Sequence, residues 1–213
     1  MSVIRLGTFF GTRLNLDGDQ GNLLALKRYL EAAGFAVEVQ PVASTDQALL
    51  SHFLLMGHGS QAAMNSLADR LPGFDWNRII QEVPGLAVGS GAEWLTQHLG
   101  GLGTFSRLER VSEFRVAELG DLKVLGYRNS DTDLPDLRLE QQFILSMLHG
   151  PVLAKNPRLL HKSALAAVRC AGGVWPSVLP AEAIDWISQL NRINSQIWLL
   201  ETAAEFQPLE LKL

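Results

Sequence analysis

The sequence is poor in cysteine, in positive charge and in long apolar runs, and each shortage removes a class of function. One cysteine, Cys170, among 213 residues excludes an internal disulfide and a multi-cysteine metal centre. With a single thiol, a reducing cytoplasmic setting is the expected compartment. Lys and Arg number 18 against 22 Asp and Glu, a net charge of −4. No basic excess exists to neutralise phosphates, so nucleic acid is not an expected partner. No apolar stretch approaches the ~20 residues that cross a bilayer, so no membrane span is expected. The opening residues hold a short apolar run without a basic leader and long apolar region, and are read as a first strand rather than a signal peptide. The histidines at 52, 58, 98, 149 and 161 include no pair spaced i, i+4 on a helix, so neither a metal site nor a cofactor is expected.

Apolar residues make up 47% and charged residues 19% of the chain, enough for one sizeable core, and no repeat or linker interrupts it. A single domain over residues 1–213 is expected. Ile4 to Phe10, Phe35 to Val42, Phe53 to Met56 and Leu86 to Val88 read as strands. Between them, helices are expected after the Asp17–Asn22 turn (with Asp19 as cap and Gly34 as stop), over Gln61 to Leu71, Asp75 to Val83 and Ala92 to Leu99. Strands alternating with helices imply a three-layer α/β fold with a mainly parallel sheet. Gly100 to Gly103 reads as a flexible break. Arg110 to Glu118 and Lys123 to Arg128 read as strands, Ser130 to Asp136 as an exposed acidic loop, and Phe143 to Leu148 as a last strand. Asn156 to Ala171 and Ala181 to Glu205 are expected helices. Trp175, Trp186 and Trp198, with Ile184, Ile187, Leu190, Ile193 and Ile197, form either core packing or a partner-docking face.

Three segments in order carry a resemblance. Arg13 to Asn22 (RLNLDGDQGN) is similar to an LN-x-YGD-x-GN opening, Met56 to Gln61 (MGHGSQ) to a glycine-rich GGGQD turn, and Leu148 to Pro157 (LHGPVLAKNP) to an LHGP-x-L-x-KNP segment. Together they resemble the cobyric-acid-synthase-like class I glutamine amidotransferases, and within them the amidotransferase subunit of lipid II isoglutaminyl synthase. The resemblance implies a flavodoxin-like amidotransferase fold. It also implies glutamine as substrate, and a heterodimer with a Mur-ligase-like synthetase that amidates a cell-wall precursor. By the same resemblance His149 is the retained base. Gly57 and Gly59 (as oxyanion donors), Asp19 and Glu93 belong to the substrate-binding surroundings.

The departures matter as much. Where the family places its nucleophilic cysteine in a C-G-G-Y-Q turn, the chain reads Gly89-Ser90-Gly91-Ala92-Glu93. Asp17 stands where the branch usually has tyrosine, and a GFENH motif appears as Gly126 to Ser130. Glycine cannot attack a carbonyl, and a hydroxyl needs more activation than a thiol. Ser90 is therefore a substitute nucleophile or a small turn residue. Cys170, on an expected helix, is a buried hydrophobe or a displaced nucleophile. His58 is a solvated turn residue or a ligand contact. Three functions follow as expectations: a catalytically degenerate amidotransferase partner protein, a glutaminase with a non-standard nucleophile, or a small-molecule-binding regulatory module.

Overall fold

A computed structural model describes residues 3–99, 104–202 and 204–210. Its first half alternates strand and helix: β1 (Ile4–Phe9), α1 (Gln20–Ala32), β2 (Val37–Val42), α2 (Thr45–Leu49), β3 (Phe53–Met56), α3 (Gln61–Asn65), α4 (Trp76–Glu82), β4 (Gly85–Val88) and α5 (Ser90–His98). A long hairpin follows, β5 (Arg107–Leu119) and β6 (Leu122–Thr132), then β7 (Leu137–Glu140), β8 (Phe143–Ser146) and β9 (Leu148–His149). Three helices close the chain: α6 (Val152–Lys155), α7 (Pro157–Cys170) and α8 (Ala181–Glu201).

The central sheet has the order β2-β1-β3-β4-β8-β7. All pairings in it are parallel except β7 with β8. Counting the parallel strands alone, the order is 2-1-3-4-5, the flavodoxin-like arrangement, in which ligands bind outside the carboxyl ends of the strands. Side chains alternate between two cores. Phe53 and Leu55 of β3 join α1, α6 and α7 on one face, and Leu54 and Met56 join α4 and α5 on the other. All four are buried, which is why β3 reads as an unbroken apolar run. Burying each contributes ~1.5–3 kcal/mol. Leu23, Leu26 and Leu30 of α1 fall on one buried face, and Gly34, at φ +94, ends the helix region in a conformation that favours glycine.

A second sheet, β5-β6-β9, is antiparallel and carries His149 through the pairing Tyr127↔His149. The segment Phe143 to His149 is thus not one strand. Ser146 accepts the Leu148 amide on its hydroxyl, which in turn donates to the Leu148 carbonyl, and this tight exchange turns the chain from one sheet into the other. The expected acidic loop also resolves differently. Ser130 and Thr132 are buried at the end of β6, and β7 follows. Buried Arg128 donates to the Thr132 and Leu134 carbonyls and to Asp136, which wraps this stretch around one guanidinium. The expected helix Gln61 to Leu71 stops at Asn65 and continues as turns to a 3₁₀ turn over Leu71–Gly73. The break at Gly100 to Gly103 lies outside the described residues. The final helix ends at Glu201. Trp198 is buried, Trp175 and Trp186 pack against the core, and Ile193 faces solvent.

Candidate functional site

Three connections converge at the carboxyl ends of the parallel strands. The loop after β1 brings Asp17, the turn after β3 brings His58, and the turn after β4 brings Gly89. Gly57 has no room for a side chain: a Cβ there would lie 2.1 Å from the Leu14 carbonyl oxygen. The Leu16 amide bonds the His58 carbonyl at 3.0 Å, which clips the first two connections together. His149 arrives from the second sheet. Asn22, at the start of α1, donates to the Gly150 carbonyl and accepts the Leu153 amide, pinning the LHGP segment beside the Asp17 loop. Asn156 of the KNP segment bonds both the amide and the carbonyl of Leu125, and Pro157 starts α7. The long contiguous motif therefore owes much of its composition to holding the backbone.

Gly89 caps α5 with φ 51° and ψ −119°. A residue at this angle, between a buried strand and a helix, projects its side chain sharply into the space above the sheet; this is the geometry of a nucleophile elbow. Here the projection is empty of a side chain and filled by neighbours. A Cβ on residue 89 would lie 2.5 Å from His58 Nδ1 and 2.7 Å from His149 Cε1. The two imidazoles meet edge-on with centroids 4.6 Å apart.

His149, expected as the base, lies beside the Gly89 turn, and its partner is one that sequence reading missed. Its Nδ1 lies 2.8 Å from an oxygen of Asp17, 132 positions away in the chain. The carboxylate fixes the ring proton on Nδ1 and leaves Nε2 as the basic nitrogen, buried and without a hydrogen-bond partner among the described residues. Burial pushes the His149 pKa down, against the upward pull of Asp17. His58 is also lowered, first by burial and then by His149 beside it. It is not a solvated turn residue. Its Nδ1 accepts the Ser90 amide at 3.0 Å, so its proton sits on Nε2, 3.9 Å from Asp17.

Of the two expected oxyanion donors, Gly59 is already bonded within the chain. The Gly59 amide donates to Ser90 Oγ at 2.9 Å, and that hydroxyl donates to the Gly59 carbonyl at 3.1 Å. The Ser90 amide, next to the elbow, is taken by His58. The His58 amide donates to Asp19 Oδ2 at 2.7 Å. Asp19 thus bonds across to the glycine turn instead of capping α1 with its side chain, correcting the expected cap. Desolvation raises its pKa to about 6, against the downward pull of the His58 amide, with the charge of Asp17 adding to the rise and the Gly150 amide opposing it.

In front of these groups lies a cavity of about 550 Å³ that reaches Ser90, Glu93, Arg107, Arg110, Asn129 and Asp131. Arg107 ties Glu93 of α5 to Asp131 of the hairpin, at 2.9 and 2.5 Å. Glu93 is therefore at the cavity, as expected, but already paired. The arginines and Asp131 come from the hairpin and left no local motif to find. Cys170 is exposed at the last residue of α7, its sulfur 3.9 Å from the Ser51 carbonyl, and it does not line the cavity.

No protein-family model matches the chain, and no curated protein matches it. Solved structures do. A Thermoplasma acidophilum protein, provisionally assigned to GMP synthase as one of its subunits, is 12% identical, with a TM-score of 0.46 over 81% of this chain and 96% of its own. A chain of the PurLQS structure from Thermotoga maritima is 10% identical, with a TM-score of 0.43 over 78% and 96%. The glutaminase domain of Trypanosoma brucei CTPS, with bound acivicin, is 12% identical, with a TM-score of 0.41 over 84% and 98%. At this level of superposition nothing about the site is carried over from them.

Proposed function

We propose that the chain is an amidotransferase-like subunit that does not hydrolyse glutamine and acts through a synthetase partner. The observation that carries this reading is the elbow at Gly89: it keeps the backbone angles of a nucleophile turn, lacks the side chain, and has its projection filled by His58 and His149. Three further facts support it. The amide beside the elbow is occupied by an imidazole, the glycine-turn amides by Ser90 and Asp19, and Ser90 Oγ is itself tied in both directions. Acyl transfer needs an attacking group and free donors for the oxyanion; position 89 has no side chain, and the amides of His58, Gly59 and Ser90 are already bonded.

The partner we expect, on the sequence resemblance, is a Mur-ligase-like synthetase in lipid II amidation, with this chain as scaffold or regulator. A second reading, a small-molecule-binding module, is favoured by one observation, the 550 Å³ polar cavity in front of the lost elbow. Ammonia release from glutamine by the purified chain, alone and with a recombinant Mur-ligase-like synthetase, tests the first statement; release above background sinks it. Size-exclusion chromatography of the same mixture tests the second, with co-elution expected. Failure to co-elute leaves the small-molecule reading.

A further inference from the structure

The strongest unassigned feature is a set of three donors. One side-chain atom each from Asp17, His58 and His149 can be chosen so that all three lie within 4.8 Å of one another. We infer that Asp17, His58 and His149 form a binding site for one divalent transition-metal ion at the mouth of the cavity.

The donor set suits such an ion. Two imidazoles and one carboxylate are the borderline ligands that zinc, cobalt and manganese accept, and they do not suit calcium or magnesium. The spacing suits it too. Bonds of ~2.1 Å place neighbouring ligand atoms ~3.0 Å apart at a right angle and ~3.4 Å apart in a tetrahedron. The observed separations from Asp17 Oδ2, 2.8 Å to His149 Nδ1 and 3.9 Å to His58 Nε2, bracket that range. The three donors come from three separate segments: the His58 turn and the Asp17 loop are tied to each other by the His58 amide on Asp19 and the Leu16 amide on the His58 carbonyl, and His149 is held by β9. Three protein ligands leave positions for water or a ligand atom, and the adjoining space is the cavity lined by Ser90, Glu93 and Asn129. This is the make-up of an open centre rather than a closed structural one.

Loading has a definite cost, and the cost supplies a signature. In the metal-free chain the Ser90 amide holds His58 Nδ1, and the ring proton is on Nε2. An ion on Nε2 moves that proton to Nδ1, and two donors then face each other, so the Ser90 amide must let go. His149 gives its Nδ1 position to the ion in the same way and carries its proton on Nε2. Metal uptake therefore switches both tautomers and releases the first amide of α5. Because these contacts are lost, binding is expected in the micromolar range, not with the tightness of a preformed structural zinc site.

The test uses the full chain, treated with chelator and then titrated with Zn²⁺ or Mn²⁺ by calorimetry, with bound metal counted after desalting. One ion per chain is expected. Asp17→Asn, nearly isosteric, and His58→Gln should each weaken binding tenfold or more, while His52→Gln and Cys170→Ser leave it unchanged. Circular dichroism checks that each variant is folded. As a measurement that needs no variant, the ¹⁵N resonances of the Ser90 amide and the two imidazoles should move on loading with the diamagnetic zinc ion. No uptake at millimolar metal overturns the site, and so does uptake that survives Asp17→Asn and His58→Gln. Uptake without movement of the Ser90 amide also overturns it. None of these outcomes depends on whether the chain hydrolyses glutamine or binds a synthetase.

Discussion

His58 Nδ1 accepts the amide of Ser90 at 3.0 Å and lies 2.5 Å from the point where a Cβ on residue 89 would begin. One imidazole thus occupies both the space that a side chain on residue 89 would enter and the amide beside it. The absence of a side chain at Gly89 and the presence of a ring at position 58 are sterically linked.

Placing a thiol at position 89 should consequently take two substitutions. Gly89→Cys alone drives a Cβ into His58 and places a side chain at φ 51°. Overpacking and the left-handed backbone together should destabilise the fold by about 1–4 kcal/mol, read from urea unfolding, with no gain in ammonia release. Adding His58→Gly should recover part of that loss and expose the Ser90 amide. A single variant as stable as the parent, or active, would contradict the steric account.

Gly57 is the position where the backbone itself forbids a side chain. Its Cβ would meet a carbonyl oxygen of Leu14 at 2.1 Å, an atom that cannot rotate away. Gly57→Ala should cost ~2 kcal/mol or more and lower the melting temperature by ~4 °C or more. Gly73→Ala, with open space around its Cβ, is the control and should change little. Equal effects at the two positions would refute the packing argument.

Asp19 gives a pH dependence of unusual sign for a carboxylate. Its folded pKa is about 6, above its ordinary value near ~3.9. Between these values the folded chain binds more protons than the unfolded one, so this group's contribution falls as pH rises from ~4 through 6. Asp19→Asn removes the effect. The stability of the variant relative to the parent should rise by ~1–3 kcal/mol between pH 4.5 and pH 7.5, measured by chemical denaturation. A relative stability that is flat or falls over that window would reject the raised pKa.

The buried histidines act in the opposite pH direction. His161 bonds the Tyr29 hydroxyl at 2.8 Å, and burial lowers its pKa; His52 is lowered mainly by burial too. The unfolded chain takes up their protons first, so stability is complete above ~6.5 and is lost as pH falls below it. The melting temperature should drop between pH 7.5 and pH 5.5, and His161→Gln should shrink the drop. An unchanged slope in that variant would assign the acid sensitivity elsewhere.

The parallel half of the fold was readable because its strands are short apolar runs between helices with clear stops, as at Gly34. Most boundaries there fall within a residue or two of expectation. The second half was harder. β6 continues through Ser130 and Thr132, polar residues that look like loop until Arg128 is seen bonding the carbonyls beyond them. Leu148 and His149 extend an apolar strand in sequence, yet they pair in the other sheet. Gly89 and His149, which the structure brings side by side, were legible in the sequence because local motifs flank them. Asp17 was visible only as a departure from a motif, since its relation to His149 spans 132 positions. The three-donor set is outside the reach of helix spacing for the same reason: that pattern concerns ligands on one helix, and these come from three separate segments.

His149 and the Gly89 turn are positioned by different sheets. Gly89 is bonded through its amide to Ser146 of the central sheet, whereas His149 is paired with Tyr127 of the hairpin sheet. Only Met147 separates the two strands that belong to these sheets. The distance between the His149 imidazole and the Gly89 turn is therefore set by the angle between two sheets, and a single residue is the hinge point at which that angle is fixed.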